Sequence, residues 1–225
     1  MMKTAKGYIQ DLNLIKESVG TEIPKIRIFN LSKEYINLPV SEVIVLLRTD
    51  DHELRVAAVA ILDWKARNKK TSILERKEIY EAYINNHKWI DDWGLVDRSA
   101  PYVVGGYLYD KDRSPLYRLA KSDNPMERRT AIVSTYYFIR KKDLDDTFKI
   151  GKILVQDKDE YVQKAVGGWI REAGKHNLSK LIEFLDENAT IMPRIMLRYA
   201  IEKLNNSTKQ HYLNANKTGV FGSDI

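Results

Sequence analysis

The sequence predicts an all-helical protein, and three observations support that prediction. Apolar residues recur at the three- and four-residue intervals of one helix face. Only six prolines and eleven glycines interrupt the 225 residues. No segment alternates apolar and polar residues over the length of a strand. The segment 52–64 shows the helical spacing most clearly, at Leu54, Ala57, Ala58, Ile61 and Leu62.

Three prolines mark expected helix starts. Pro24, Pro125 and Pro193 each stand where a first helical turn would begin, a position at which the missing N–H of proline costs nothing. Asp123 and Asn124, directly before Pro125, carry side-chain oxygens that can cap that first turn. We therefore expect a helix to begin at or next to each of these prolines.

Small residues recur at nearly equal distances along the chain. Successive positions are 37, 37, 34 and 35 residues apart, which is enough chain for two antiparallel helices and their turns. Stacked helix pairs of this kind form a right-handed α–α superhelix, or solenoid, with one row of helices along its concave face. An ordinary helical bundle with chance periodicity is the alternative. The positions are Ala57, Gly94, Ala131, Ala165 and Ala200.

Composition sets limits on the fold and on the kinds of site. With 44% hydrophobic residues the chain can bury a substantial core, and we expect one domain over 1–215 followed by a loose tail over 216–225. The absence of cysteine excludes disulfides, thiolate metal sites and cysteine nucleophiles. No apolar run is long enough for a membrane span or a signal peptide, so we expect a cytoplasmic, monomeric protein without a membrane partner.

The charge balance is compatible with a polyanionic partner. The formal net charge is +6 at pH 7 and the pI is about 9.2, a modest excess that many other proteins share. Basic residues recur in the helices that carry the repeat, where guanidinium groups and helix N-termini can bind phosphates. Ordinary solvated charge, paired with Asp and Glu, is the alternative. These residues are Arg55, Arg128, Arg129, Lys164, Arg171, Arg194 and Arg198.

The segment 87–101 has the most unusual composition, with two of the four tryptophans and three aspartates. Trp93 and Asp97 are four residues apart and therefore share one helix face. A ring beside a carboxylate suits a flat cationic ligand, because the ring stacks on it and the carboxylate stabilises positive charge. The alternative is that Trp93 fills the core and Asp97 caps a helix or pairs with an arginine. The four histidines have no metal-ligand spacing, so no metal is expected.

Five stretches of the chain, in order, resemble the AlkD-type DNA alkylation repair proteins. Together they make the resemblance specific, and it covers roughly residues 40–213. The stretches are 93–101 (WGLVDRSAP), 113–121 (RSPLYRLAK), 127–133 (ERRTAIV), 163–167 (QKAVG) and 192–203 (MPRIMLRYAIEK).

This resemblance implies a solenoid of HEAT-like repeats that wraps duplex DNA and hydrolyses the N-glycosidic bond of cationic alkylated purines, without a cofactor. Asp97 matches the family's catalytic carboxylate, which would stabilise the developing charge on the sugar and orient the attacking water. Trp93 matches an aromatic residue of the same cleft, and Trp169 is a second candidate for substrate contact. Arg129 matches a DNA-contacting arginine. The expected DNA-binding set is Arg128, Arg129, Lys164 and Arg194.

Two departures from the family pattern keep a second interpretation open. The family usually has another cleft tryptophan at the position of Gly168, whereas Trp169 lies one residue further, about 100° around a helix. A stretch rich in Gly, Tyr and Phe near the N-terminus has only residues 18–22 in its place. The alternative is a non-catalytic HEAT-like module that binds DNA or a protein partner and has lost base excision.

Overall fold

Helices form all of the regular secondary structure in the described residues, which confirms the all-α prediction. The structure is a computed structural model that describes residues 3–20 and 23–218. The chain divides into two compact units, Met1–Asp110 and Lys111–Ile225. Within the described ranges, no helix is both long and apolar enough to cross a membrane.

The first unit consists of helices joined by short connections. A 3₁₀ segment, His87–Trp89, precedes α6, and a π-helical stretch, Pro101–Gly105, joins α6 to α7. The α-helices are α1 (Ala5–Val19), α2 (Lys25–Glu34), α3 (Val40–Leu47), α4 (His52–Arg67), α5 (Ile73–Asn85), α6 (Trp93–Ala100) and α7 (Gly106–Leu108).

The second unit continues the same pattern. Its α-helices are α8 (Ser114–Leu119), α9 (Pro125–Ser134), α10 (Tyr136–Arg140), α11 (Asp145–Ile153), α12 (Glu160–Gly174), α13 (Leu178–Asn188), α14 (Arg194–Ala200) and α15 (Asn206–Thr218). Helix α15 extends three residues into the tail expected over 216–225, and residues 219–225 lie outside the described residues.

Helix α4 is the centre of the first unit. It packs against α2, α3 and α6, and all residues of the segment 56–63 are buried. A helix with apolar residues on nearly every side must be covered on nearly every side. As a result α2, α4 and α6 form one layer, and α1, α3 and α5 form a second layer whose members contact one another in order.

Helix α12 has the corresponding central position in the second unit. It packs against α9 and α14 in one layer and against α11 and α13 in the other. Gly167 allows the close approach of α12 and α14, because a Cβ atom at this position would collide with the main-chain oxygen of Met196. The missing side chain of glycine is therefore a packing requirement here.

The five small residues of the sequence repeat all lie in the layer formed by α2, α4 and α6 or the layer formed by α9, α12 and α14. The four alanines are buried, while Gly94 lies in the first turn of its helix. Their helices are α4 for Ala57, α6 for Gly94, α9 for Ala131, α12 for Ala165 and α14 for Ala200.

The prolines mark helix starts as expected. Pro125 is the first residue of α9, while Pro24 and Pro193 directly precede α2 and α14. The side chain of Asn124 accepts a hydrogen bond from the main-chain N–H of Met126 at 2.9 Å, as a helix cap should.

Pro101 accounts for the π-helical stretch after α6. Proline has no N–H to donate to the carbonyl four residues earlier, which here belongs to Asp97, and its ring crowds that carbonyl. The chain stays helical by widening the turn, so that the N–H of Gly106 donates to the carbonyl of Pro101, five residues earlier. This widened turn therefore follows directly on the segment that carries Trp93 and Asp97.

Candidate functional site

Trp93 and Asp97 occupy the beginning of α6, as the sequence predicts for a helix in this segment. The side chain of Asp92 caps the helix by accepting a hydrogen bond from the N–H of Gly94 at 2.8 Å. Trp93 is 43% exposed, and Asp97 is half-buried. A partly accessible ring thus lies one helical turn before a half-buried carboxylate, both in the first unit.

A buried ionic cluster lies beside this helix. Asp63 of α4 is fully buried; its Oδ1 accepts a hydrogen bond from Nε of Arg67 at 2.8 Å, and its Oδ2 lies 3.1 Å from Nη2 of Arg98. Burial raises the pKa of the Asp63 carboxyl, and the two arginines oppose that shift. Burial also lowers the pKa of Arg98, while Asp63 opposes that change.

Aromatic rings contact both arginines of this cluster. The guanidinium carbon of Arg98 lies 4.7 Å from the ring centre of Phe29 in α2 and 4.8 Å from that of Trp64 in α4. The guanidinium carbon of Arg67 lies 3.8 Å from the ring centre of Tyr102 in the π-helical stretch. Cation–π contacts of this kind, at partly desolvated positions, hold α2, α4 and α6 together.

The starts of α4 and α6 carry a second, more exposed set of contacts between basic side chains and carboxylates. Nη2 of Arg55 lies 3.4 Å from Oδ1 of Asp91, and Nε2 of His52 lies 3.8 Å from Oδ1 of Asp92. The sequence predicted that Arg55 could bind phosphate. In the structure it lies close to the carboxylate of Asp91, two residues before Trp93.

In the second unit, Arg129 is buried. Only 7% of the residue is exposed, and Nη1 of its guanidinium group donates a hydrogen bond to the main-chain carbonyl of Tyr161. This bond joins α9 to the first turn of α12. The structure therefore gives Arg129 a packing contact between helices and exposes little of it to a ligand.

Arg128, the preceding residue, binds the turn before α12 and its own helix start. Its Nε and Nη2 donate to the two carboxylate oxygens of Asp157 at 2.6 and 3.0 Å, and Nη1 donates to the carbonyls of Ser122 and Asp123, each at 2.9 Å. A bidentate pair with both remaining bonds on main-chain carbonyls is a well-satisfied structural arrangement.

Lys164 and Arg194, the other two predicted DNA-binding residues, also have partners in the second unit. The ammonium group of Lys164 pairs with Glu160 one turn earlier, and that hydrogen bond raises the pKa of the lysine. Nη1 of Arg194 donates to the carbonyl of Leu213 in α15 at 2.7 Å. Lys164 is more available to a ligand than Arg194 is. Its partner Glu160 is exposed, and an exposed ion pair exchanges readily with other partners.

One face of α12 presents Tyr161, Lys164, Gly168 and Arg171 at intervals of three, four and three residues. Tyr161 is largely exposed, and Arg171 pairs with Glu202 after α14. A Cβ atom at Gly168 would meet nothing within 4 Å. This α12 face therefore has open space at the residue where the family resemblance expects a tryptophan.

Trp169 takes a different direction from Gly168. Its ring centre lies 5.1 Å from that of Tyr136, and its ring packs against the buried cluster of Ile139, Leu144 and Ala173. The rotation argument from the sequence agrees with this placement, because adjacent helix residues point about 100° apart. Contact between Trp169 and a substrate stays a prediction.

The chemical resources of the two units differ. The first has an exposed indole ring and a half-buried carboxylate on one helix, next to Arg98, which is half-buried, and Arg67, which is exposed. The second has the α12 face, with cationic and tyrosine side chains. Within the described ranges, no three His, Asp or Glu side chains come close enough to hold a metal ion. The sequence analysis missed Asp63, although an acidic residue within an apolar helix, four residues before Arg67, was a visible signal.

Comparison with known proteins gives the family. No curated protein matches the chain. The sequence model of one family, described as DNA alkylation repair enzyme, matches residues 5–204 and so spans most of both units. The match extends further towards the N-terminus than the resemblance seen in the motifs. This chain belongs to the DNA alkylation repair enzyme family.

Proposed function

We propose that this protein is a DNA glycosylase that removes cationic alkylated purines from duplex DNA. The observation that supports this most directly is the pairing of an exposed Trp93 with a half-buried Asp97 one turn later on α6. Membership of a DNA alkylation repair family supports alkylated DNA as the substrate class. An alkylated purine is flat and cationic, which is the kind of group that an indole ring and a carboxylate bind together.

The proposed reaction needs little more than electrostatic stabilisation. The bond between C1′ of the sugar and N9 of the purine breaks, and its electron pair neutralises the departing cationic base. Positive charge then develops on the sugar, where the Asp97 carboxylate stabilises it. Water adds to C1′ and releases one proton, to the carboxylate or to solvent. The alkylated base is already a good leaving group, so no general acid is required.

Trp93 would contribute to binding. Its exposed ring offers a surface on which a cationic base or the sugar beside it can rest, and such contacts are worth about 0.5–2 kcal/mol, depending on desolvation. The ring precedes Asp97 by one turn, so a group in contact with both spans the first turns of α6.

For DNA binding in the second unit, we assign direct phosphate contact to Lys164, together with Arg198. Both lie in the layer formed by α9, α12 and α14, and Arg198 is exposed. Arg128, Arg129 and Arg194 make hydrogen bonds to carbonyls or carboxylates inside the unit. Their assigned role is to fix the helices that present the cationic surface, with any phosphate contact secondary.

We also infer that the helix pairs are HEAT-like repeats. The support is the two-layer packing within each unit and the placement of all five small residues in one of the layers. A close approach such as that of Gly167 to α14 is what a small residue at a fixed register provides. The solenoid predicted from the sequence stays a prediction.

The second candidate function is a non-catalytic DNA-binding module of the same family. The observation that favours it is the open space beside Gly168, where the resemblance expects an aromatic ring. Without that ring one wall of a substrate site would be missing. DNA binding through Lys164 and Arg198 would remain.

The test is release of 7-methylguanine from alkylated duplex DNA by the purified protein. We expect release in proportion to protein concentration and above spontaneous depurination. Salt-dependent DNA binding without release would favour the non-catalytic candidate. Absence of both release and binding at low ionic strength would overturn both.

A further inference from the structure

Besides the packing of α6 against α4, one buried carboxylate, that of Asp63, links these two helices through charge. Asp63 contacts Arg98, which directly follows Asp97, and Arg67, which stacks on Tyr102 beyond the end of α6. The single charge of Asp63 thus holds two arginines. Arg98 belongs to α6 itself, and Arg67 contacts the π-helical stretch that follows α6.

The attachment at Arg98 allows little freedom. The guanidinium group lies between the rings of Phe29 and Trp64, and its Nε and Nη2 atoms are buried without a hydrogen-bond partner. The charge of Asp63, 3.1 Å away, is therefore the main compensation for the buried positive charge.

The position of Arg98 determines where Asp97 points. Neighbouring residues on a helix are about 100° apart, so an arginine fixed on the buried side directs the preceding carboxylate to a defined angle around the helix axis. Trp93, one turn before Asp97, rotates with it. A small rotation of α6 would displace both groups relative to a substrate.

We propose that Asp63 is a positioning residue for Asp97 and Trp93, acting through Arg98 and Arg67. It does not touch the substrate. This inference rests on the proposed function for its consequence in catalysis, but the positioning of Trp93 can be measured without any reaction.

The main variant is Asp63→Asn, which keeps the size of the side chain and removes its charge. The matched control is Asp146→Asn in the second unit, because Asp146 is also buried and paired, with Arg113 at 2.6 Å and with Tyr117. Arg98→Lys is the second variant: it keeps the positive charge but loses the planar group that fits between two rings. The Arg98→Lys variant keeps the proposal testable if Asp63→Asn does not fold.

Two measurements are compared among the folded proteins. The first is the indole N–H resonance of Trp93, assigned by its loss in Trp93→Phe; the resonance of Trp169 serves as an internal reference. We expect the Trp93 resonance to shift or broaden in Asp63→Asn and Arg98→Lys but not in Asp146→Asn. The second is the single-turnover rate of 7-methylguanine release, which we expect to fall about 10- to 100-fold in the two first-unit variants, with little change in DNA affinity.

The outcomes separate this inference from the proposed function. If the wild-type protein releases no base, the proposed function fails, and the Trp93 resonance alone decides the positioning. An unchanged Trp93 resonance in both folded first-unit variants would overturn the inference. So would a loss of excision no larger than that of Asp146→Asn.

Discussion

The guanidinium group of Arg129 donates a hydrogen bond to the main-chain carbonyl of Tyr161, 32 residues later in the chain. This bond connects α9 to the first turn of α12, the helix on which Lys164 and Gly168 lie. It also changes what a substitution at Arg129 should do. An arginine that holds two helices together acts first on stability and only then on binding.

Replacement of Arg129 by alanine should lower the free energy of unfolding by about 1–3 kcal/mol, because it removes a hydrogen bond between α9 and α12 and the packing of a buried side chain. Urea unfolding measures this directly. Arg198→Ala, at an exposed position, is the control and should change stability by less than about 0.5 kcal/mol. Equal stabilities of the two variants would argue against a structural role for Arg129.

The adjacent glycines of α12 should respond in opposite directions to the same substitution. Gly168→Ala should stabilise the protein by about 0.5–1 kcal/mol, because alanine favours the helix and the site is open. Gly167→Ala should destabilise it by about 1–3 kcal/mol, because its methyl group would collide with the main chain at Met196. Thermal or urea unfolding distinguishes the two, and the same sign for both would contradict the packing described for α12 and α14.

Gly168→Trp tests whether the missing ring limits activity. The open space at this position should accept the side chain without loss of the fold. If the protein is a glycosylase, we expect faster release of 7-methylguanine under single-turnover conditions, and Gly168→Ala separates the effect of the ring from that of helix stability. Folded wild-type and Gly168→Trp proteins that are both inert would leave only the non-catalytic candidate.

Asp97→Asn should lower excision by about two to four orders of magnitude, the scale expected for loss of an electrostatic stabiliser of a charged transition state. DNA affinity should stay the same or rise slightly, since the change removes a negative charge near phosphates. Single-turnover excision and binding are measured on the same alkylated duplex. Asp91→Asn, on the same approach to α6 and largely exposed, is the control. Excision equal to wild type would show that another group provides the stabilisation.

Lys164→Ala should weaken duplex binding by a similar factor for all sequences and reduce the slope of log affinity against log salt by about one. Lys180→Ala is a matched control, because Lys180 is also an accessible lysine paired with a carboxylate, that of Asp145, but lies on α13 in the other layer. A salt slope that falls equally in both variants would indicate a general charge effect and would contradict the assignment of phosphate contact to Lys164.

How much of the site could be predicted depended on the sequence distance over which each contact acts. The shared helix face of Trp93 and Asp97 follows from helix spacing, and the cap at Asn124 follows from a side-chain oxygen directly before Pro125, so both helices were found where expected. The contact of Arg129 depends on a carbonyl far along the chain, and no local pattern indicates it. A basic residue at the start of a helix looks the same whether it faces solvent or a neighbouring helix.

Asp63 and Gly168 also show that contacts within one helix can be predicted from sequence, whereas contacts between helices cannot. The partner of Asp63 at four residues' distance, Arg67, was visible in the sequence, but Arg98 comes from another helix. The outward direction of Gly168 could be reasoned from helix rotation, and the structure agrees with that reasoning. Which residues of other helices surround Gly168 depends on tertiary packing, and the local sequence does not show it.

The widened turn at Pro101–Gly105 has a consequence for the phase of the helix around it. A hydrogen bond over five residues accommodates one residue more than an α-helical turn does, so the two halves of this helix are out of step by one position. Deleting Pro101 would remove the cause of the widened turn, and a return to regular α-helix would rotate Trp93 and Asp97 by about 100° relative to Gly106–Leu108. The orientation of the Asp97 carboxylate, the proposed catalytic group, therefore depends partly on the one extra residue in this turn, and chain length in this stretch matters as well as residue identity.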